Sequence, residues 1–265
     1  MSRIKLPPHE LVRPPGVPEG SVVSVFRVPP EVAGQRLDVF LQGQLRRTSR
    51  TRTQFIVRAS AFDRQGRRLK PNDRVAADQY VFLWRAPWDE DPVPTHVPVL
   101  YEDEHILAVD KPPHLPVHPT ARYHKNTLIM ILQRERPDQW LSLGHRIDRE
   151  TSGVLLVPKT PECDRSLKRI LEGRDDVEKE YVAITWGVPA AGADGAFRCE
   201  LPVELDPTSP LRVKMRVGEL PTALTATTDF VVEATARRAD GRAYARVRCA
   251  LHTGRQHQIR VHLAA

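Results

Sequence analysis

Cysteine is scarce in this chain: three in 265 residues, Cys163, Cys199 and Cys249. They are far apart, odd in number and without a Cys-x-x-Cys pair. That argues against a disulfide framework or a cysteine-held zinc site and fits a reducing cytoplasm. Long apolar runs are missing too, and nothing approaches the roughly 18 residues that a membrane span needs. The proline-rich first turn of the chain lacks the apolar stretch of a secretory signal. No glycine-rich phosphate loop and no redox pair is present. His114, His118 and His124 lie close together, but without acidic or cysteine companions at metal-ligand spacing. What remains is an ordinary globular composition, 40% apolar and 28% charged, in a chain long enough for one large domain or two modest ones.

The net charge of +7 is unevenly spread. Residues 46–74 hold ten basic side chains (Arg46, Arg47, Arg50, Arg52, Arg58, Arg64, Arg67, Arg68, Lys70 and Arg74) against Asp63 and Asp73, which leaves the rest of the chain near neutrality. A solvated charged face is the ordinary explanation of a basic run. An excess this local and this rich in arginine favours a polyanion such as nucleic acid.

Periodicity divides the chain. Pro7, Pro8, Pro14, Pro15 and Pro18 predict an extended or mobile arm over 1–21. Residues 22–28 alternate as a strand. Leu37, Phe40, Leu41 and Leu45 share one helical face, and Ser49 is placed to cap a second short helix carrying Arg50, Arg52, Gln54 and Phe55. A hairpin and a strand over 74–84 complete this unit. Residues 86–94 are acidic, punctuated by proline and without period, and read as a linker. In the second unit, strands are expected at 97–100 and 106–109 and a helix at 127–136. Residues 154–157 form a short β-branched run between Gly153 and Pro158, the pattern of a buried strand. Thr160-Pro161 starts a helix with Leu167, Ile170 and Leu171 on its buried face and Gly173 at its C′ position. Residues 178–186 alternate, with Val182, Ile184 and Trp186 on one side and Lys179, Tyr181 and Ala183 on the other. Residues 192–220 have no assignable pattern. Two antiparallel strands, 230–236 and 243–251, meet around Asp240-Gly241.

Asp148 draws attention because it stands between Arg146 and Arg149 and enters a loop that feeds the buried run 154–157, where a scaffold can hold it rigidly. A surface Asp paired with either arginine would look the same in isolation. Near the chain end, His252, His257 and His262 are five apart, a spacing that suits neither a helical nor a strand metal site. Arg255 and Arg260 are better placed as donors to phosphate or carboxylate.

Two resemblances emerge from these residues. Arg36-Leu37-Asp38-Val39-Phe40-Leu41, Ser49-Arg50-Thr51-Arg52-Thr53-Gln54 and Pro71-Asn72-Asp73-Arg74-Val75 together are similar to the S4 RNA-binding domain. The turn after its second helix departs from that family. The second resemblance spans about 97–263. Asp110-Lys111-Pro112-Pro113 with Val117-His118-Pro119, then the block 145–153, then Lys179-Glu180-Tyr181-Val182-Ala183, then the block 253–263, stand in the order of the RluA-type pseudouridine synthases. Glu150 replaces that family's usual Asp, and the family normally continues beyond the position of Ala265 with a segment that helps to close the fold.

The resemblances imply an α+β protein: an N-terminal arm (1–21), a small S4-like α/β RNA-binding domain (22–87), a linker (88–96), and a catalytic domain (97–265). The last would have a mixed, mainly antiparallel sheet and a central cleft. They imply isomerisation of uridine in RNA without a cofactor or a metal, in the cytoplasm and away from membranes. Large-subunit ribosomal RNA is the first partner expected and transfer RNA the second, with a monomer favoured. Asp148 would be the essential carboxylate, acting at C6 of the base, at C1′, or on the 2′ proton. Arg260 would pair with it, Arg255 being a second candidate. Tyr181 would pack on the target base or take its C5 proton. Arg146 would hold the nucleotide out of the helix, with His145, Arg50 and Arg52 as further RNA contacts. Two other classes stay open. One is a non-catalytic RNA-binding or ribosome-assembly factor. The other is a glycosidic hydrolase, which wants a second carboxylate about 5 Å away where only Glu150 is near in sequence.

Overall fold

The computed structural model describes residues 11–45, 48–120, 122–173, 177–211 and 213–265. Arg46 and Arg47 of the basic run, and residues 1–10 of the proline-rich arm, lie outside them. The chain divides into two compact units, Met1–Asp91 and Pro92–Ala265.

The first unit sets two helices on a small antiparallel sheet. Strands β1 (Val22–Arg27), β2 (Ala61–Phe62) and β3 (Tyr80–Arg85) are ordered β1-β3-β2, and α1 (Leu37–Gln44) and α2 (Arg50–Ser60) cover one face. Leu37, Phe40 and Leu41 of α1 and Val57 of α2 are buried with Val81 and Leu83 of β3. Ser49 caps α2, its Oγ accepting from the Arg52 N–H at 3.2 Å. The strand expected from residue 74 begins only at Tyr80, because Asp78 takes a left-handed turn (φ 61°) just before it. The described part of the arm is not extended into solvent. Val17 is buried with Val25, Phe62, Phe82 and Trp84 on the other face of the sheet, since a valine beside a tryptophan and two phenylalanines loses more by exposure than the chain loses by ordering.

One ionic knot joins the helices. Asp38, buried in the first turn of α1, accepts bidentately from Arg36 (Nε and Nη2, both 3.0 Å) and from Arg50 Nε (3.3 Å) and Gln54 Nε2 (2.7 Å) of α2. The Arg36 hydrogen bonds, helped by Gln54 and Arg50 and opposed by burial, hold its carboxyl far below the usual range.

The second unit is built on three sheets. Strands β4 (Val99–Glu102), β5 (Ile106–Lys111) and β6 (Gly153–Pro158) form one, with α3 (Leu128–Glu135) packed against it through Leu128, Ile129, Ile131 and Leu132. Val93 and Val97 pack into the same core, so the sequence-defined linker already belongs to this unit on its C-terminal side. A second sheet has the order β7-β12-β11-β8: β7 (Glu180–Trp186), β8 (Ala196–Cys199), β11 (Thr228–Arg237) and β12 (Ala243–Leu251). Within the stretch that had no pattern, β9 (Val203–Leu205) and β10 (Met215–Val217) pair as a short ribbon. Every ladder between these strands is antiparallel. The last helix, α5 (Gln258–His262), packs through Val261 on Val203 and Ala226.

One expectation about a buried face is corrected, and β7 turns its more apolar side outward. Helix α4 (Pro161–Glu172) buries none of its residues among those described, and Ile170 is 49% exposed. Gly173 ends it with an extended backbone (φ −63°), not the left-handed one a C′ glycine permits. On β7 the outward face is the more apolar one: Val182, Ile184 and Trp186 are more than 60% exposed. The central strands decide this. Ala245, Val247, Cys249 and Phe230 are buried on the opposite face, and the pairing of Tyr181 with Cys249 brings Tyr181 and Ala183 to that core.

The Asp38 knot generates a prediction. Asp38→Ala removes the acceptor shared by Arg36, Arg50 and Gln54. Because both arginines keep solvent contact, the cost should be only about 1–2 kcal/mol, read as a lower urea midpoint for the first unit. Because folding lowers this carboxyl's pKa, its contribution is present above about pH 4 and lost as the pH falls below that, so the variant should also lose part of the acid-induced destabilisation.

Candidate active site

The loop 144–152 carries Asp148 and runs into β6, whose Leu155 and Val157 are buried and whose register with β5 pairs Lys111 with Gly153. Its entry is tight. A Cβ on Gly144 would lie 3.1 Å from the Leu156 carbonyl and run into the Leu167 side chain, so glycine lets α4 close on this loop. His145 is fastened next: its Nε2 accepts the Leu156 N–H at 3.1 Å, and burial, with Lys179 nearby, lowers its pKa.

Lys111 supports the loop from below. It shares a strand face with Leu107 and Val109, is fully buried, and donates from Nζ to the carbonyls of Pro112 (2.7 Å), Leu115 (2.9 Å) and Arg149 (3.1 Å). Burial draws its pKa down to about 8, against the raising effect of Glu150 and Asp148. At neutral pH it is therefore still an ammonium, with a carbonyl for each N–H. Next to Asp148, Arg149 donates to the Tyr123 hydroxyl (2.9 Å) and to Glu150 (2.8 Å).

The Asp148 side chain is 21% exposed. Arg260 Nη1 stands 3.5 Å from its Oδ2, and His257 Nε2 stands 3.7 Å from its Oδ1. Both partners come from the start and middle of α5, which a buried network holds in place. Gln258 Oε1 accepts from Thr253 Oγ1 (2.8 Å) and the Arg255 N–H (3.0 Å), while its Nε2 donates to the Thr227 carbonyl (3.0 Å) and Thr228 Oγ1 (2.9 Å). His262 lies 2.9 Å from Thr228 Oγ1 through Nδ1 and 2.9 Å from the Leu201 carbonyl through Nε2. A carbonyl only accepts, so Nε2 carries the proton and Nδ1 accepts from the threonine. Tyr181, half-buried on β7, has its hydroxyl pKa raised by burial and then by the charge of Asp148.

The structure thus brings Asp148 and Arg260 together, with Tyr181 close enough to feel the carboxylate's charge. Arg146 is exposed, and its charge reaches His118, whose pKa is lowered by burial first and Arg146 second. Arg255 is not the second partner of Asp148: its Nε donates to the Thr225 carbonyl (3.0 Å), and it lines a separate cleft of about 970 Å³ with Lys179, Arg248 and His252. In the first unit, Arg50 is half engaged by Asp38, while Arg52 lies over the exposed Phe55 ring at 5.2 Å. Sequence reasoning missed His257 and the depth of Lys111. For Lys111 a signal existed, since strand parity places it beside Leu107 and Val109. For His257 no periodic signal existed. Among the described residues no group of His, Cys, Asp or Glu side chains gathers as a metal site.

A family model described as RNA pseudouridylate synthase matches residues 105–265. A Xanthomonas campestris protein named ribosomal large subunit pseudouridine synthase D is 31% identical over 244 residues, 89% of this chain and 70% of that one. A Salmonella typhi protein named dual-specificity RNA pseudouridine synthase RluA is 38% identical over 169 residues, covering 63% and 71% of the two chains. The solved structure of human RNA pseudouridylate synthase domain containing 1 is similar in fold, with a TM-score of 0.54 at 23% identity, over 65% of this chain and 66% of that one.

His145 and the buried His262 make the site sensitive to acid. Folding lowers both pKa values, so the unfolded chain binds protons first. Their contribution is whole above about pH 6.5 and lost progressively below it. The melting temperature should be insensitive to these groups down to about pH 6.5 and then fall. A melting temperature unchanged between about pH 7.5 and pH 5 contradicts this.

Proposed function

This chain belongs to the RNA pseudouridylate synthase family, and from that premise we propose that it isomerises uridine in large-subunit ribosomal RNA, with Asp148 as the reacting carboxylate. The observation that carries the assignment of Asp148 is its setting: a mostly buried carboxylate in a loop braced by Lys111, with Arg260 and His257 at its two oxygens. The choice of ribosomal RNA is supported by the name of the Xanthomonas relative, matched over most of both chains.

The isomerisation breaks the N1–C1′ bond, turns the base, and joins C5 to C1′ with loss of the C5 proton. Each role open to Asp148, addition to C6, capture of C1′ or removal of the 2′ proton, requires it ionised. The Arg260 guanidinium, 3.5 Å from Oδ2, orients it. Tyr181 keeps its proton at neutral pH because its pKa is raised, which favours packing against the base over accepting the C5 proton. Arg146, exposed beside the reacting loop, suits holding the target nucleotide out of its stack. The bound geometry does the remaining work, since substrate and product differ little in bond energy.

The first unit supplies a basic surface for RNA. Helix α2 carries Arg50, Arg52 and Arg58 and no acidic residue, and it exposes Phe55 beneath Arg52, a cation-and-aromatic pairing that suits unpaired nucleotides. An S4-like role for residues 22–87 accords with this surface.

Carbodiimide-adduct primer extension on large-subunit ribosomal RNA from cells lacking the gene, with the protein added back, tests the assignment. New stops should appear with the wild-type chain and vanish with Asp148→Asn, while RNA affinity changes less than about twofold. Full turnover by Asp148→Asn sinks the assignment. Replacing Arg52 and Arg58 with Gln should lower the slope of log affinity against log salt by about two, whatever happens to catalysis.

A further inference from the structure

Among the described residues three that are not glycine have positive φ: Asp78, His114 and His257. His257 (φ 55°, ψ 22°) is the N-cap of α5, and its imidazole reaches the reacting carboxylate. Left-handed backbone at a residue with a Cβ persists only where its surroundings impose it. Here they do. Gln258 makes four hydrogen bonds immediately after it, and the Val261 N–H closes onto the His257 carbonyl at 3.0 Å.

The two partners of Asp148 differ in stiffness. Arg260 ends a long side chain that is 64% exposed, whereas the His257 side chain is short, 22% exposed and anchored at its base. A partner on one oxygen alone leaves the carboxylate plane free to turn about it. Partners on separate oxygens fix the plane, and only then does a defined lone pair face the nucleotide.

We propose that His257 is a positioning residue for Asp148, holding Oδ1 from a strained but rigid backbone while Arg260 supplies the charge at Oδ2. This rests on the assignment of Asp148 as the reacting carboxylate. The imidazole touches no substrate atom in this role. Its requirement is an N–H brought to the carboxylate at the reach of the imidazole Nε2, and glutamine can meet it, because its amide Nε2 stands about as far from Cβ as the ring nitrogen does.

Release of tritium from RNA labelled at uridine C5 measures turnover for the wild-type chain, His257→Gly and His257→Gln. Glycine removes the imidazole and relieves the backbone. His257→Gly should therefore melt no lower than wild type, yet lose about 10- to 100-fold in kcat with KM for RNA nearly unchanged. His257→Gln should recover most of that loss. A merely structural histidine would show the reverse, with stability falling and kcat intact, and that result overturns the proposal. Failure of glutamine to recover any activity, in a variant as stable as wild type, overturns it too. A wild-type chain that releases no tritium removes the isomerase assignment itself, and this proposal with it.

Discussion

Lys111 brings an ammonium to a fully buried position, where backbone carbonyls take the place of solvent. Those of Pro112, Leu115 and Arg149 do so. Leaving any N–H of a buried charge unpaired would cost more than the bond itself returns, so the three carbonyls are held as firmly as the charge they serve. Pro112 and Leu115 belong to the turn after β5, whereas Arg149 belongs to the loop that carries Asp148, 38 residues later. One buried cation therefore ties the end of a core strand to the residue after Asp148. The ladder of β5 with β6 ties the same two segments through the backbone. With His145 accepting from Leu156 at the other end, the loop is clamped on both sides of the carboxylate.

The charges of the site are graded by exposure. Glu150 is drawn toward its ionised form by Arg149 and Arg260, in spite of burial that acts the other way. Tyr181 feels Asp148 as a reason to keep its proton. Lys111 is weakened as an acid–base group by burial but steadied by the two carboxylates. At neutral pH Tyr181 is thus a phenol and Lys111 an ammonium, charges set before substrate arrives. His145 and His262 each use an imidazole nitrogen as an acceptor, a role that protonation would remove.

Much of this was legible in the sequence where one residue type has one physical use. Ser49 and Thr160 cap helices as their positions indicate, with side-chain oxygens accepting from Arg52 and Cys163. The run 154–157 is a strand, although only Leu155 and Val157 are buried and Val154 is 59% exposed, and Asp148 and Arg260 meet although 112 positions separate them. Legibility failed where tertiary competition decides. The apolar stripe of β7 faces solvent because β11 and β12 fill the core from the other side, and no single-strand pattern contains that information. Arg255 and Arg260 look alike in sequence, yet a turn pinned by Gln258 sends one to the Thr225 carbonyl and the other to Asp148. His257 reaches the carboxylate through a backbone conformation that periodicity cannot register.

The arginines fall into two physical kinds. Arg36 forks onto a buried carboxylate, a pair that cannot be opened without stranding a charge, so it serves the fold. Exposed pairs such as Arg27 with Asp78 and Arg149 with Glu150 are worth little in water and can exchange their carboxylate for a phosphate at small cost. Arg50 is intermediate, with one bond to Asp38 and half of its side chain in solvent. Counting basic residues along the sequence therefore overstates the surface offered to a polyanion. Exposed guanidiniums such as those of Arg52, Arg58 and Arg146 can meet a phosphate without first displacing a buried partner.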